Sequence, residues 1–85
     1  MRILHIIRHP GEEIGWEVAE AQAVRDGVAV LLLQDGVLCR RQTALPLYAS
    51  SLDLEARGLA ADRMKPLTDP EIVEVLAAHD RIVTW

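Results

Sequence analysis

The sequence predicts an α/β domain in which a mostly parallel sheet carries helices on both faces. Short aliphatic segments alternate along the chain with segments of helical periodicity, and this alternation is typical of parallel sheets. The segment Val28–Leu33 is apolar without interruption, which is the pattern of a strand buried on both faces. A chain of 85 residues has room for one domain, residues 1–85.

The first predicted strand is Arg2–Ile7, a short run rich in isoleucine. Pro10 ends it, because proline has no amide hydrogen for the strand ladder. Glu12 and Glu13 favour the start of a helix, where negative charge meets the positive end of the helix dipole. We expect this helix to end near Gly27 in a left-handed cap. Its predicted apolar stripe consists of Ile14, Val18, Ala21 and Val24.

The second predicted strand, Val28–Leu33, ends before the pair Asp35-Gly36. Two interpretations of this pair are open. Asp35 can cap a short helix that holds Val37–Gln42, or the pair can form a hairpin turn followed by a returning strand. The helix is preferred, because the family resemblance described below favours it.

The remaining predicted strands are short. Leu45–Ala49 is the third, and its proline lies near the start, where a missing donor is tolerated. Met64–Leu67 contains Pro66 and is therefore predicted to lie at an edge of the sheet. Ile82–Trp85 is the fifth strand. With helices between them, these strands should form one parallel sheet whose first three members are neighbours.

The last two helices carry recognisable start and stop signals. Ser50 and Ser51 are suitable caps for a short helix that runs through Arg57 and stops at Gly58. The segment Thr68–Glu71 has the spacing of a capping box, with a proline in the first turn. A third helix is therefore expected immediately after it.

Composition excludes several classes of protein. The chain is 51% hydrophobic but only 4% aromatic, so its core must be aliphatic, and the 26% of charged residues fits a folded chain rather than a disordered one. A net charge of −4 argues against direct binding of nucleic acid, which requires a basic face. No signal peptide is expected, and the longest apolar run is too short to span a membrane.

Cys39 is the one cysteine in the chain. It cannot form an internal disulfide, which fits a reducing, cytoplasmic setting. Near the start of a short helix, beside Arg40 and Arg41, its thiolate would be favoured, and a thiolate is the species that persulfide exchange requires. The competing interpretation is an inert cysteine that packs as a small apolar side chain. His9 and the segment Asp35–Arg41 both follow strands, so we expect them at the carboxyl edge of the sheet.

Other candidate sites are weaker. His5 and His9 straddle a strand and a turn and have no third ligand near them, so no metal site is predicted. The sequence has no nucleotide fingerprint and predicts no cofactor. Two interpretations of Trp16 are open. The aliphatic core can absorb this aromatic side chain, or, because it lies off the predicted stripe of the first helix, it can project toward a partner.

Four segments, in order along the chain, resemble the DsrH/TusB family of sulfur-relay subunits. The first is a Leu-His pair followed by His-Pro, and the second is the strand and turn LLLQDGV. The third is a Leu-Tyr-Ala strand with the helix DLEARGL, and the fourth is a helix, a terminal strand and a tryptophan. They occupy Leu4–Pro10, Leu31–Val37, Leu47–Leu59 and Val73–Trp85.

The resemblance implies a three-layer α/β/α fold with a mostly parallel five-stranded sheet. It also implies an oligomer, formed with homologous DsrE/TusD-like and DsrF/TusC-like subunits or by self-association. The role implied is cytoplasmic relay of persulfide sulfur, either toward 2-thiolation of the wobble uridine of tRNA or in dissimilatory sulfur oxidation. In such complexes the main sulfur-carrying cysteine belongs to the TusD/DsrE-type partner.

The chain departs from the family pattern at one place. Some DsrH members carry their own cysteine in the first helix, where this chain has Val18–Ala21. Cys39 therefore does not inherit the family's cysteine. The leading hypothesis is a supporting subunit of a relay complex. The alternatives are a sulfurtransferase that acts through Cys39, with Arg40, Arg41 and His9 as binding residues, and a homo-oligomeric domain that binds a small ligand. Whether the chain is itself an enzyme stays open.

Overall fold

The computed structural model describes all 85 residues. Its centre is a five-stranded sheet in which every neighbouring pair of strands is parallel. The strands are β1 (Arg2–Ile7), β2 (Gly27–Leu32), β3 (Leu47–Ser50), β4 (Lys65–Leu67) and β5 (Arg81–Thr84). Their order across the sheet is β4-β3-β2-β1-β5, so the first three strands are neighbours, as predicted.

Helical segments fill the connections between consecutive strands. They are α1 (Ile14–Gln22), a 3₁₀ helix (Gln34–Leu38), α2 (Ser51–Ala56) and α3 (Asp69–Ala77). β4, the strand that contains Pro66, lies at an edge of the sheet as predicted. No helix in the structure has the length and apolar character needed to cross a bilayer.

The apolar side chains form two separate clusters, one on each face of the sheet. Alternate residues of β1 point to opposite faces: Ile3 and Ile7 pack with α1, the 3₁₀ helix and α2, whereas Leu4 and Ile6 pack with α3. The connections that lead from β1 to β2, from β2 to β3 and from β3 to β4 lie on the first face, because these strands follow one another in one direction across the sheet. The connection through α3 runs back past β1 to reach β5, and it lies on the opposite face. The three-layer α/β/α arrangement is thus confirmed.

The buried side of α1 differs from the predicted stripe. Ile14 and Val24 are 65% and 84% exposed, whereas Trp16 and Ala19 are buried. Trp16, Ala19 and Ala23 also recur at helical spacing and bury far more apolar area, because an indole is the largest side chain available. Of the two interpretations of Trp16, packing in the core is therefore confirmed and projection toward a partner is wrong. The predicted cap at Gly27 is also wrong, since this residue begins β2.

The turn after β2 follows neither interpretation of Asp35-Gly36. The chain forms a short 3₁₀ helix and then turns extended at Cys39, with φ −62° and ψ 136°, so the helix predicted over Val37–Gln42 is absent. Gln34 has a positive φ of 54°, and its amide donates to Asp53 Oδ2 at 2.7 Å. A Cβ at Gly36 would overlap the carbonyl oxygen of Ile7, so only glycine fits this approach to β1.

The predicted caps of the later helices are confirmed. Ser50 Oγ accepts a hydrogen bond from the amide of Asp53 and caps α2. Gly58, which follows α2, has the left-handed φ of 61° that favours glycine. Thr68 and Glu71 form both halves of a capping box at the start of α3. In each hydrogen-bonded cap the two partners lie three residues apart in the chain, which is why the sequence alone revealed them.

Candidate functional site

Cys39 lies at the end of the 3₁₀ helix, as a free and half-buried thiol. Its amide donates to the carbonyl of Gly36 at 3.0 Å, and its side chain packs against the apolar cluster that contains Ile3 and Ile7. The predicted position of Cys39 near the start of a helix is wrong, because the helical turn begins earlier, at Gln34. The thiol therefore gains no stabilisation from a helix N-terminus.

A shallow cavity of about 20 Å³ lies beside Cys39. It has room for about one water molecule. Two of the residues that line it mark its position in the sheet: Leu47 is the first residue of β3, and Met64 immediately precedes β4. Cys39 therefore lies toward the amino ends of these strands and not at the carboxyl edge where it was expected. The lining consists of Cys39, Arg40, Arg41, Leu47, Asp62, Arg63 and Met64.

Three guanidinium groups line this cavity, and two of them are held by other side chains. Arg41 forms an ion pair with Glu20 at 2.7 Å and lies over the ring of Trp16, 5.4 Å from its centroid. Arg63 donates to Gln42 Oε1 at 2.6 Å. Arg40 has no side-chain partner in the structure. The site thus combines a thiol with one uncommitted cation, which can pair with an anionic sulfur species.

Asp62 places one carboxylate on the rim of the same cavity. Its backbone has a positive φ of 54°, a conformation that aspartate adopts more readily than most residues. Because opposite charges offset one another, the cavity is less cationic than the three arginines alone would make it.

The structure does not bring His9 to this cavity. His9 is exposed, and its Nδ1 accepts a hydrogen bond from the amide of Gly11 at 3.0 Å. Cys39, Arg40 and Arg41 do share one site, but His9 lines neither of the two cavities in the structure. The structure holds no group of three or more His, Cys, Asp or Glu side chains with the geometry for a metal ion.

In parallel α/β sheets, ligands usually bind at the carboxyl ends of the strands, and in this protein the Trp85 side chain occupies part of that edge. Ligands bind at the carboxyl edge where strand order reverses, which in this sheet lies at β1 and its neighbour β5. Here the ring of Trp85 lies against Gly15 so closely that a Cβ would be 2.7 Å from its Cγ. Arg8 Nε also donates to the main-chain oxygen of Trp85 at 3.2 Å. The first turn of α1 is therefore covered by Trp85.

Sequence reasoning missed several members of the Cys39 site. Asp62, Arg63 and Met64 enter it from the segment before β4, more than twenty positions along the chain. Their charge alone gave no signal, because isolated arginines are ordinary on surfaces. Trp16 was also missed, although it is the ring on which Arg41 rests.

No protein-family model matches the chain, and no curated protein matches it.

Proposed function

We propose that the chain is a subunit of a cytoplasmic sulfur-relay complex that supports persulfide transfer toward 2-thiolation of the tRNA wobble uridine. The observation that carries the proposal is the all-parallel, five-stranded α/β/α sheet, because this is the architecture expected for the DsrH/TusB-like segments. Since one fold hosts many functions, the weight lies in the combination of this fold with the four segments in their order along the chain.

The role proposed for the chain within the complex is a supporting one. Trp85 covers the first turn of α1 at the carboxyl edge, and the cavity beside Cys39 holds about one water molecule, so neither offers a spacious reaction site. Partner contacts have a better candidate surface. α3 alone covers its face of the sheet and has no buried residue, and Val73 on its outer side is 63% exposed. The partners proposed are DsrE/TusD-like and DsrF/TusC-like subunits, or further copies of this chain.

The second candidate is a sulfurtransferase that uses Cys39 directly. The observation that favours it is that Cys39, Arg40, Arg41 and Arg63 line one cavity. In this reaction the Cys39 thiolate attacks the terminal sulfur of a donor persulfide, R–S–SH. The S–S bond of the donor breaks, R–S⁻ leaves, and Cys39 becomes a persulfide. The exchange needs no external oxidant or reductant. Arg40 would pair with the anionic sulfur.

Complementation separates the two candidates. Deleting the gene in its native cells should lower the 2-thiouridine content of tRNA, and the wild-type gene should restore it. The supporting role predicts full restoration by Cys39→Ser, whereas the sulfurtransferase predicts none. Unchanged 2-thiouridine in the deletion strain would contradict both. Gly36→Ala, which disrupts the packing of the 3₁₀ helix on β1, is the control for loss of the folded subunit.

Affinity purification tests the partners independently. The tagged chain is expressed at its native level, and the proteins that co-purify with it are identified by mass spectrometry. Subunits homologous to this chain should be among them. Retention of no homologous subunit, together with a monomeric chain in solution, would contradict the proposal.

A further inference from the structure

A second cavity, of about 150 Å³, opens at the opposite end of the structure from the carboxyl edge. It lies where β1, β2 and β3 begin and where the chain leaves α3. It shares no residue with the Cys39 site, and the sulfur-relay proposal gives it no role. Its lining consists of Arg2, Gly27, Val28, Ala29, Pro46, Tyr48 and His79.

Three polar side chains in this lining have hydrogen-bonding capacity that the protein itself does not use. The guanidinium of Arg2 forms no ion pair or hydrogen bond, and neither does the hydroxyl of Tyr48. His79 lies 2.6 Å from the carbonyl of Val75 through Nδ1. A carbonyl can only accept, so Nδ1 carries a proton, and Nε2 is left without a partner. A concave surface with a few unsatisfied polar groups and an apolar remainder is typical of small-molecule sites.

The charge of Arg2 is not cancelled by a direct ion pair. Asp80 Oδ2 accepts a hydrogen bond from the amide of Arg2 at 2.7 Å, not from its guanidinium. Asp26 pairs with the amino terminus of Met1 at 3.4 Å. Neither carboxylate lines the cavity. The lining therefore presents one full positive charge.

We propose that this cavity binds a small organic monocarboxylate with a compact apolar body. Arg2 supplies the one full charge and the paired donors that suit a carboxylate, and the Tyr48 hydroxyl adds a neutral donor. Ala29 and Pro46 supply apolar walls, and the backbone of Gly27 and Val28 forms the floor between them. A cavity of about 150 Å³ accommodates a six-carbon ring in other proteins, which sets the size of the ligand. This site is independent of the relay and of Cys39.

The probe is benzoate, titrated into the ¹⁵N-labelled full chain and followed by NMR. The expected result is saturable shifts at millimolar benzoate, centred on the amides of Gly27, Ala29, Tyr48 and His79. Benzamide has the same shape without the charge, so it should bind about tenfold more weakly, the effect of losing a charged hydrogen bond. Linear, unsaturable shifts with benzoate, or equal binding of the two probes, would overturn the proposal.

Two arginine variants at opposite ends of β1 complete the test. Arg2→Gln should weaken benzoate binding about tenfold. Arg8→Gln removes an equal charge beyond the carboxyl end of the same strand and should leave the affinity unchanged. Equal losses in both variants would show a general charge effect and refute the site. Tyr48→Phe provides a second measurement: it keeps the ring and removes only the hydroxyl, so binding should weaken severalfold. Unchanged binding would contradict the role given to this donor.

Discussion

The indole Nε1 of Trp85 donates a 2.9 Å hydrogen bond to Nδ1 of His5, although the two residues lie 80 positions apart in the chain. The two rings are inclined by only 16°, with centroids 6.1 Å apart, so they meet edge to edge. Because Nδ1 accepts, the ring proton lies on Nε2, which donates to Gln22 Oε1 at 2.6 Å. His5 is fully buried, and these two bonds satisfy both of its nitrogens.

Replacing Trp85 by Phe should lower the free energy of unfolding by about 1–3 kcal/mol, because it leaves the buried acceptor of His5 without a donor. Urea denaturation followed by circular dichroism measures the change. Arg8→Gln is the control: it removes an exposed hydrogen bond to the main-chain oxygen of Trp85 and should change stability by no more than about 0.5 kcal/mol. A loss for Trp85→Phe as small as that of the control would contradict the role given to the bond.

Replacing Gly36 by Ala should destabilise the protein severely. The new methyl group would overlap the backbone of Ile7, which cannot move without disturbing the centre of the sheet. Gly58→Ala is the matched control, since no atom lies within 4 Å of its Cβ position and only its positive φ of 61° is unfavourable. That control should cost about 1 kcal/mol. Comparable unfolding midpoints for the two variants in urea would show that the close approach is absent.

The capping box of α3 should make stability fall with acid. The Thr68 amide donates to Glu71 Oε1 at 2.9 Å and its hydroxyl at 3.0 Å. These bonds, the amide bond first, hold the pKa of Glu71 below its ordinary value of 4.5, with a smaller contribution from Lys65. A carboxylate whose pKa is lower in the folded chain stabilises it above the ordinary pKa, and that stabilisation is lost as the pH falls through the lowered value.

Glu71→Gln isolates this effect, because glutamine keeps an acceptor for the Thr68 amide but does not titrate. The stability advantage of the wild type over this variant should be constant near neutral pH and should shrink below about pH 4.5. Denaturation curves at several pH values provide the measurement. Glu74→Gln corrects for the change in net charge on the same helix. An advantage that persists unchanged into acid would contradict the linkage.

The chain is predicted to self-associate or to require partners, because its small size limits the apolar surface it can bury alone. Val73 is 63% exposed on α3 and Ile82 is 40% exposed. Sedimentation at micromolar concentration should show a species larger than the 9.4 kDa monomer, and Val73→Glu should reduce it. Val24→Glu, which alters the 84% exposed residue after α1, should not. A single monomeric species for the wild type would oppose this prediction.

The isolated chain is predicted not to bind tRNA at physiological salt. It carries 13 acidic residues against 9 basic ones, and two of the three arginines near Cys39 are engaged by Glu20 and Gln42. Tight phosphate binding needs clustered, uncommitted cations. A gel-shift titration in increasing salt checks this, and a strong salt-sensitive shift by the purified chain would contradict it.

Local signals could be predicted from the sequence, and long-range contacts could not. Val28–Leu33 was identifiable as a buried strand because its apolar run is continuous, and the Thr68–Glu71 box because its two members are three residues apart. The predicted buried face of α1 is wrong because the helix carries two apolar stripes, one that contains Ile14 and one that contains Trp16. The contact of Trp85 with Gly15, which comes from the far end of the chain, helps to decide which stripe faces the sheet. The neighbours of Cys39 come from a segment that approaches only when β4 joins the sheet.

The position of β5 beside β1 has a kinetic consequence. The amide of Arg2 bonds to Asp80 across 78 positions, so the edge of β1 that β5 covers cannot be paired until the two ends of the chain meet. Closing such long loops slows folding, and an open apolar edge is a template for pairing with other chains. Aggregation during refolding should therefore be most severe before residues Arg81–Thr84 dock, and a synthetic peptide of this segment should compete for that edge.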